Sequence, residues 1–209
     1  MGIKVAAIII GVGQWKQYTR PMLKSMITHQ PDARIILVDN GNQYPEKYDG
    51  VEILKTEEIL DYSAAINVGF NALKDEEWVL VINNDVICRA PYFDHLKKLE
   101  TNAMYGNKLH TNFKLFHHAH LAPFTDGWIM AIPRGIIDAV GMFDTNFKIA
   151  CAEDADYCFR AAKLGYKVRK SNLPFKHRRA KTRMGFDNFR QQRLDNIAYL
   201  VEKHELEWK

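Results

Sequence analysis

Short apolar runs recur along the first half of the chain, separated by stretches with helical spacing. Val5–Ile10 and Ile35–Val38 are almost unbroken apolar segments, and Val79–Ile82 repeats the pattern. Runs this short and this uniform suit strands covered on both faces. Between the first two, Pro21–His29 carries Met22, Leu23, Met26 and Ile27 at helical spacing, with a proline near the start where its missing N–H costs nothing. Together they predict a βαβ unit. Val51–Leu54 reads as a third strand, and Ser63–Leu73 sets Ala64, Ala65, Val68 and Ala72 on one small apolar helix face.

This alternation predicts an α/β fold, a mostly parallel sheet with helices on both faces. Ligands of such sheets lie beyond the carboxyl ends of the strands. Those ends are Gly11–Gln14, Asp39–Gly41 and Asn83–Asp85. The second half changes character. It predicts a helix over Tyr92–Glu100, a polar, His-rich stretch to His120, a strand over Trp128–Ile132 and a helix over Arg134–Val140. A further helix over Asp154–Leu164 ends at Gly165, a natural C′ residue, before a strand at Lys167–Lys170. Helical periodicity returns over Asp187–Glu205 through Phe189, Leu194, Ile197, Leu200 and Val201, on a segment expected to pack on the flank.

Composition narrows the class. The chain has 209 residues, 47% hydrophobic and 26% charged, the balance of a globular protein with one sizeable core. No Pro/Gly/Ser-rich linker interrupts it, so one domain is expected. The N-terminal apolar run is far shorter than the roughly 20 residues of a bilayer span and lacks signal-peptide flanks. A cytoplasmic protein without a transmembrane segment is therefore expected. Cys88, Cys151 and Cys158 are odd in number and widely spaced, which supports neither a disulfide framework nor a zinc ribbon. The net charge of +4 hides a run, Lys167–Arg183, with eight basic residues and no acidic one. Its field suits a diphosphate, an anionic membrane surface or a nucleic acid, and equally a solvated loop.

Three groups carry candidate chemistry. Asn83-Asn84-Asp85 follows a buried strand directly, so Asp85 emerges where a hard divalent cation is held by one or two carboxylates and substrate phosphates. An Asn/Asp turn explains the same tripeptide without function. Glu153, Asp154 and Asp156 cluster at a helix start, where the helix dipole alone favours them, while a general base needs one such carboxylate near an acceptor hydroxyl. His177 follows the last strand and is a possible metal ligand. His110, His117, His118 and His120 do not match a standard zinc site, with no cysteine nearby.

Taken in order, these segments resemble family 2 of the GT-A glycosyltransferases, in its rhamnosyltransferase-like branch. The matching blocks are Ile36-Leu37-Val38-Asp39-Asn40-Gly41, Asn67-Val68-Gly69-Phe70-Asn71-Ala72 and Val81-Ile82-Asn83-Asn84-Asp85-Val86. They continue with Asp126-Gly127-Trp128 to Pro133-Arg134, Val140-Gly141-Met142-Phe143-Asp144, and Glu153-Asp154-Ala155-Asp156-Tyr157-Cys158-Phe159-Arg160 with Gly165-Tyr166. The last block is the most specific, and the resemblance runs from Val5 to His177. It implies a GT-A catalytic domain over residues 1–183, with a nucleotide-sugar half to about residue 90 and an acceptor half after it, and a helical tail over 184–209.

By the same resemblance, Gly11, Asp39, Asn67, Asn83 and Asn84 line the nucleotide-sugar donor, with Asp39 on its base and the two asparagines near ribose and phosphate. Asp85 and His177 bind Mn²⁺ or Mg²⁺. Asp126, Gly127 and Trp128 lie at the acceptor, Glu153 contacts it, and Asp154 is the catalytic base of an inverting transfer to a carbohydrate or other hydroxyl. Arg178 or Arg179 would help to stabilise the leaving diphosphate. The chain departs from the family in Gly11-Val12-Gly13-Gln14-Trp15, where Thr/Ser, Tyr and Asn are frequent, and in Asn83 at the first position of the metal motif. It shows no membrane helices of the processive synthases, which implies transfer of single sugars. Two alternatives stand beside this reading. Gly11-Val12-Gly13 with Arg20-Pro21 faintly resembles a sugar nucleotidyltransferase loop at the wrong spacing, and the basic run would dock a nucleic-acid acceptor.

Overall fold

The computed structural model describes residues 2–110, 116–117, 123–178 and 188–208. The strands are β1 (Val5–Gly11), β2 (Arg34–Asp39), β3 (Val51–Lys55), β4 (Trp78–Asn83), β5 (Val86–Cys88), β6 (Ala103–Gly106), β7 (Leu109–His110), β8 (Phe116–His117), β9 (Phe124–Thr125), β10 (Ile129–Pro133), β11 (Lys167–Lys170), β12 (Phe175–His177) and β13 (Glu207–Trp208). The helices are α1 (Arg20–His29), α2 (Tyr62–Asn71), α3 (Phe93–Leu96), α4 (Arg134–Val140), α5 (Glu153–Lys163) and α6 (Phe189–Lys203), and a π-helical turn at Trp15–Thr19 leads into α1.

Seven strands form the central sheet in the order β11-β6-β10-β4-β1-β2-β3. All run parallel except β10, which lies antiparallel between β4 and β6. The apolar runs behave as their composition requires, for every residue of β1 is buried. Period-2 alternation divides them between two cores. Ala6, Ile8 and Ile10 face a layer made by α2, α4, α5 and α6, while Val5, Ala7 and Ile9 face α1 with Met22, Leu23 and Met26. Cutting Ile8 or Ile9 to alanine opens a cavity in a closed layer, at a cost of about 2–5 kcal/mol.

Gly69 sets how closely α2 lies on β1. A Cβ there would sit 2.4 Å from Ile8 Cγ2, so only glycine lets the helix approach. Asn67 secures the other side of the helix: its Nδ2 donates to the Phe143 carbonyl and its Oδ1 accepts the Phe143 N–H, both at 2.8 Å.

The second half departs from the expected pattern in three places. The helix expected over Tyr92–Glu100 is one turn long, because Lys98 and Leu99 donate to carbonyls three residues back at 3.2 and 3.0 Å and the Glu100 N–H turns to the Tyr105 hydroxyl at 3.0 Å. The four-residue strand β6, too short to show a period, sits inside the sheet between β10 and β11. Leu194, expected on the packed face of the last helix, is 50% exposed, and α6 docks instead through Ile197, Leu200 and Val201. His118, His120 and Arg179–Arg183 lie outside the described residues. Among the described residues, no helix is long and apolar enough to cross a membrane.

Candidate active site

The chain lays down β1, β2 and β3 outward in one direction and then returns to place β4 on the other side of β1. That reversal opens a crevice at the carboxyl ends of β1 and β4, the usual ligand position in such sheets. Asn83, Asn84 and Asp85 stand at its β4 side. After this turn β5 pairs antiparallel with β12, setting His177 opposite Val86, and the Arg178 N–H donates to the Asp85 carbonyl at 2.8 Å. A backbone ladder thus carries a histidine from late in the chain to the buried carboxylate of Asp85, with Nε2 3.1 Å from Oδ2. The Trp128 ring stacks on His177 at 4.9 Å and 7°, which fixes the imidazole plane.

Asp85 and His177 fit a divalent cation. Neighbouring ligands around an octahedral ion bound at about 2.0–2.1 Å lie about 3 Å apart, the separation observed. Among the described residues no group of three His, Cys, Asp or Glu side chains converges as a ready-made cage. Two protein ligands agree with sites where the remaining positions go to water and substrate phosphates. Beside this pair, Arg178 lies over the Tyr18 ring at 4.9 Å and donates to the Gln17 carbonyl at 2.8 Å, docking a guanidinium on the π-helical turn.

The other side of the crevice is built around Gly127. Its N–H donates to Asp154 Oδ2 at 2.7 Å, and Asp154 Oδ1 accepts the Ala155 N–H at 2.8 Å. A side chain at 127 would crowd this bond, since a Cβ would lie 3.2 Å from that of Asp154. Burial pushes the Asp154 carboxyl up to about 6, with Asp126 adding to the rise and the two backbone donors and His110 opposing it. Asp126 is held by the His110 ring and, at 3.4 Å, by Lys108, and His110 stacks on Phe124 at 4.8 Å.

Tyr62 joins the two sides. Its hydroxyl lies 2.6 Å from Asn83 Oδ1 and 3.2 Å from the Gly127 carbonyl. Burial first, then the Glu153, Asp154 and Asp85 carboxylates, hold this phenol well above its ordinary range, so it stays a neutral donor. The same three acidic groups, separated by nearly seventy positions in the chain, therefore act on one hydroxyl. Asp154, Gly127, Trp128, His177 and Asp85 form a connected series across the crevice.

Other expected residues are placed in architectural positions. Asp39 is fully buried, and its two oxygens accept the Gln43 and Tyr44 N–H groups at 2.8 and 3.0 Å, shaping the loop after β2. Gly11 lies under the Tyr44 ring, 2.5 Å from where a Cβ would be. Asn84 is buried and donates to Thr19 Oγ1 at 2.9 Å, and Asn67 is committed to Phe143. Of the described part of the basic run, β11 and β12 belong to different sheets, and Arg169 pairs with Glu100 at 2.6 Å. Of the acidic cluster, Asp156 turns away from the crevice to Arg160, Lys203 and His204. Asp126 is expected at the site from the sequence, but its pairing with His110 is not, and Tyr62 and Tyr18 carry no signal there as site residues, since their partners are distant along the chain.

The sequence matches no protein-family model and no curated protein. The structure is similar to that of GalNAc-T7 solved with UDP, GalNAc and Mn²⁺, with a TM-score of 0.71 at 13% identity over 96% of this chain and 48% of that one. It is also similar to the mannosyltransferase PcManGT from Pyrobaculum calidifontis in complex with GDP-Man and Mn²⁺, with a TM-score of 0.69 at 14% identity over 98% of this chain and 64% of that one. The chain thus spans about half of the first protein and under two-thirds of the second. These similarities establish the architecture: the chain has the GT-A fold.

Proposed function

We propose that the protein is a metal-dependent, inverting glycosyltransferase that moves a single sugar from a nucleotide diphosphate donor to an acceptor hydroxyl. The observation that carries this reading is the arrangement of a two-ligand cation site, Asp85 and His177, and a desolvated carboxylate, Asp154, around the one hydroxyl of Tyr62. The Mn²⁺ and the UDP or GDP-Man bound by the two similar structures support it.

Asp154 is held as a general base. A carboxyl pushed up to about 6 is mostly ionised at neutral pH yet basic enough to accept a proton, the compromise such catalysis needs. In the transfer the acceptor oxygen bonds to the anomeric carbon as its proton passes to Asp154. The bond from that carbon to the diphosphate oxygen breaks, and the pair of electrons leaves with the diphosphate. Attack and departure on opposite faces invert the centre. Mn²⁺ or Mg²⁺ at Asp85 and His177 would supply charge stabilisation to the leaving group. Arg178, fixed on Tyr18, adds a second positive charge there. Gly127 aims Asp154, Glu153 and Asp126 border the acceptor, and Trp128 orients His177. Asp39, Gly11, Asn67 and Asn84 act by shaping the donor loops and their supports.

A thermal-shift screen of UDP, GDP and their sugars, with and without Mn²⁺ or Mg²⁺, tests the reading. One nucleotide should raise the melting temperature only with metal, since a ligand that binds the folded state alone stabilises it. Asp85→Ala should abolish the metal-dependent part. No shift with any nucleotide and metal would overturn the proposal. The anomeric configuration of the product, read by NMR, checks inversion.

A further inference from the structure

The segment that delivers Glu153 and Asp154 to the crevice is held in a conformation that side chains avoid. Ile149, Cys151 and Ala152 have φ angles of 58°, 98° and 73°, in the left-handed region where glycine sits without strain. Non-glycine residues keep such angles only where their surroundings over-determine them.

On one side the start of α2 supplies the restraint. The Ile149 N–H donates to Asp61 Oδ1 at 2.6 Å, and the Tyr62 N–H donates to the Ile149 carbonyl at 2.9 Å. On the other side stands one residue of the C-terminal helix. Asn196 is 2% exposed, and its Oδ1 accepts the Lys148 N–H at 3.1 Å. Its Nδ2 donates toward the carbonyls of Lys148, Cys151 and Ala150 at 2.8, 3.1 and 3.4 Å. Gln192, one turn earlier, donates to the same Oδ1 at 3.3 Å and orients the amide. The helix is itself locked to α5 by Lys203 and His204 on Asp156, at 2.8 and 2.9 Å. Backbone on both sides of the strained residues is therefore tied to a side chain far along the chain.

We propose that α6 is a positioning element for the reaction, in which Asn196 sets the strained segment 148–152 and through it the place of Asp154 in the crevice. This rests on the reading of Asp154 as the base. Displacing a reacting group by about 1 Å can cost on the order of 100-fold in rate, so the hydrogen bonds of Asn196 act on turnover rather than on donor binding.

The test compares Asn196→Ala with Leu200→Ala in the full chain. Leu200 is fully buried on the same helix, and its truncation weakens docking while leaving the Asn196 amide in place. Both variants are measured well below their melting temperatures, with the nucleotide sugar from the screen and either water or a hydroxyl acceptor. Asn196→Ala should lower kcat by at least about tenfold with KM for the donor unchanged, whereas Leu200→Ala should retain kcat even where its melting temperature falls further. A second readout needs no turnover. The side-chain carboxyl carbon of Asp154, followed by NMR through a pH titration, should shift its midpoint toward the ordinary carboxylate range in Asn196→Ala only. If the two variants share the same midpoint and kcat, the positioning role is overturned. If the midpoint moves as expected but the wild-type protein transfers no sugar to water or any acceptor, the functional reading fails while the structural control by Asn196 stands.

Discussion

The two sides of α5 treat chemically identical groups in opposite ways. Asp154 faces the crevice and has two backbone N–H groups but, among the described residues, no guanidinium or ammonium bonded to it, and burial lifts its carboxyl to about 6. Asp156, two residues on, faces α6. Burial alone would lift it too, but hydrogen bonds from His204 and Lys203 and the charge of Arg160 overcome this and hold it at about 2. One side of the helix keeps a carboxylate ready to take a proton, and the other keeps one permanently charged to join elements. Desolvation is common to both, so the difference lies in where the cations stand.

The largest expected effect comes from removing the crevice carboxylate. Asp154→Asn should cut kcat by about 10²–10⁴-fold while nucleotide and metal still raise the melting temperature. The same substitution should stabilise the fold at pH 7. A carboxyl raised from 3.8 to about 6 in the folded state opposes folding once it ionises, by about 3 kcal/mol. Wild-type stability should accordingly fall as pH rises from about 4 to 6 through this group, and the variant should lose that component. A melting temperature unchanged by the substitution across this window would break the contrast.

On the opposite side, Asp156→Ala should destabilise by about 3–5 kcal/mol, because Lys203 and His204 lose their shared buried partner. Its pH signature has the other sign. A folded value of about 2 against an ordinary 3.8 contributes stability that is present above about pH 4 and disappears as pH falls toward 2, about 2 kcal/mol in all. Acid unfolding curves of wild type and Asp156→Asn should therefore differ in that range. The smallest effect belongs to Tyr62→Phe, which removes the hydroxyl between Asn83 and Gly127. It should cost about 0.5–1.5 kcal/mol of stability, measured by denaturant unfolding, with a larger loss of kcat than of donor affinity.

Much of this architecture was legible from the chain alone. Unbroken apolar runs required strands covered on both faces, their alternation with amphipathic segments required helices above and below, and Asn83-Asn84-Asp85 had to emerge at a strand end. Helical geometry also requires Asp154 and Asp156, about 200° apart around α5, to point to different sides. Tertiary structure decided which side was the crevice, because that depends on where Gly127 and α6 come to rest. It also turned β10 against its neighbours, and used Asp39 and Asn67 to brace the backbone of Gln43 and Phe143 and Asn84 to hold the Thr19 hydroxyl. Pairing of β5 with β12 brought His177 to Asp85, and Asn196 reached the strained segment before α5. Periodicity is a local property that any helix or strand displays by itself. Hydrogen bonds and ladders between residues distant in sequence leave no periodic trace, and the site is made of those.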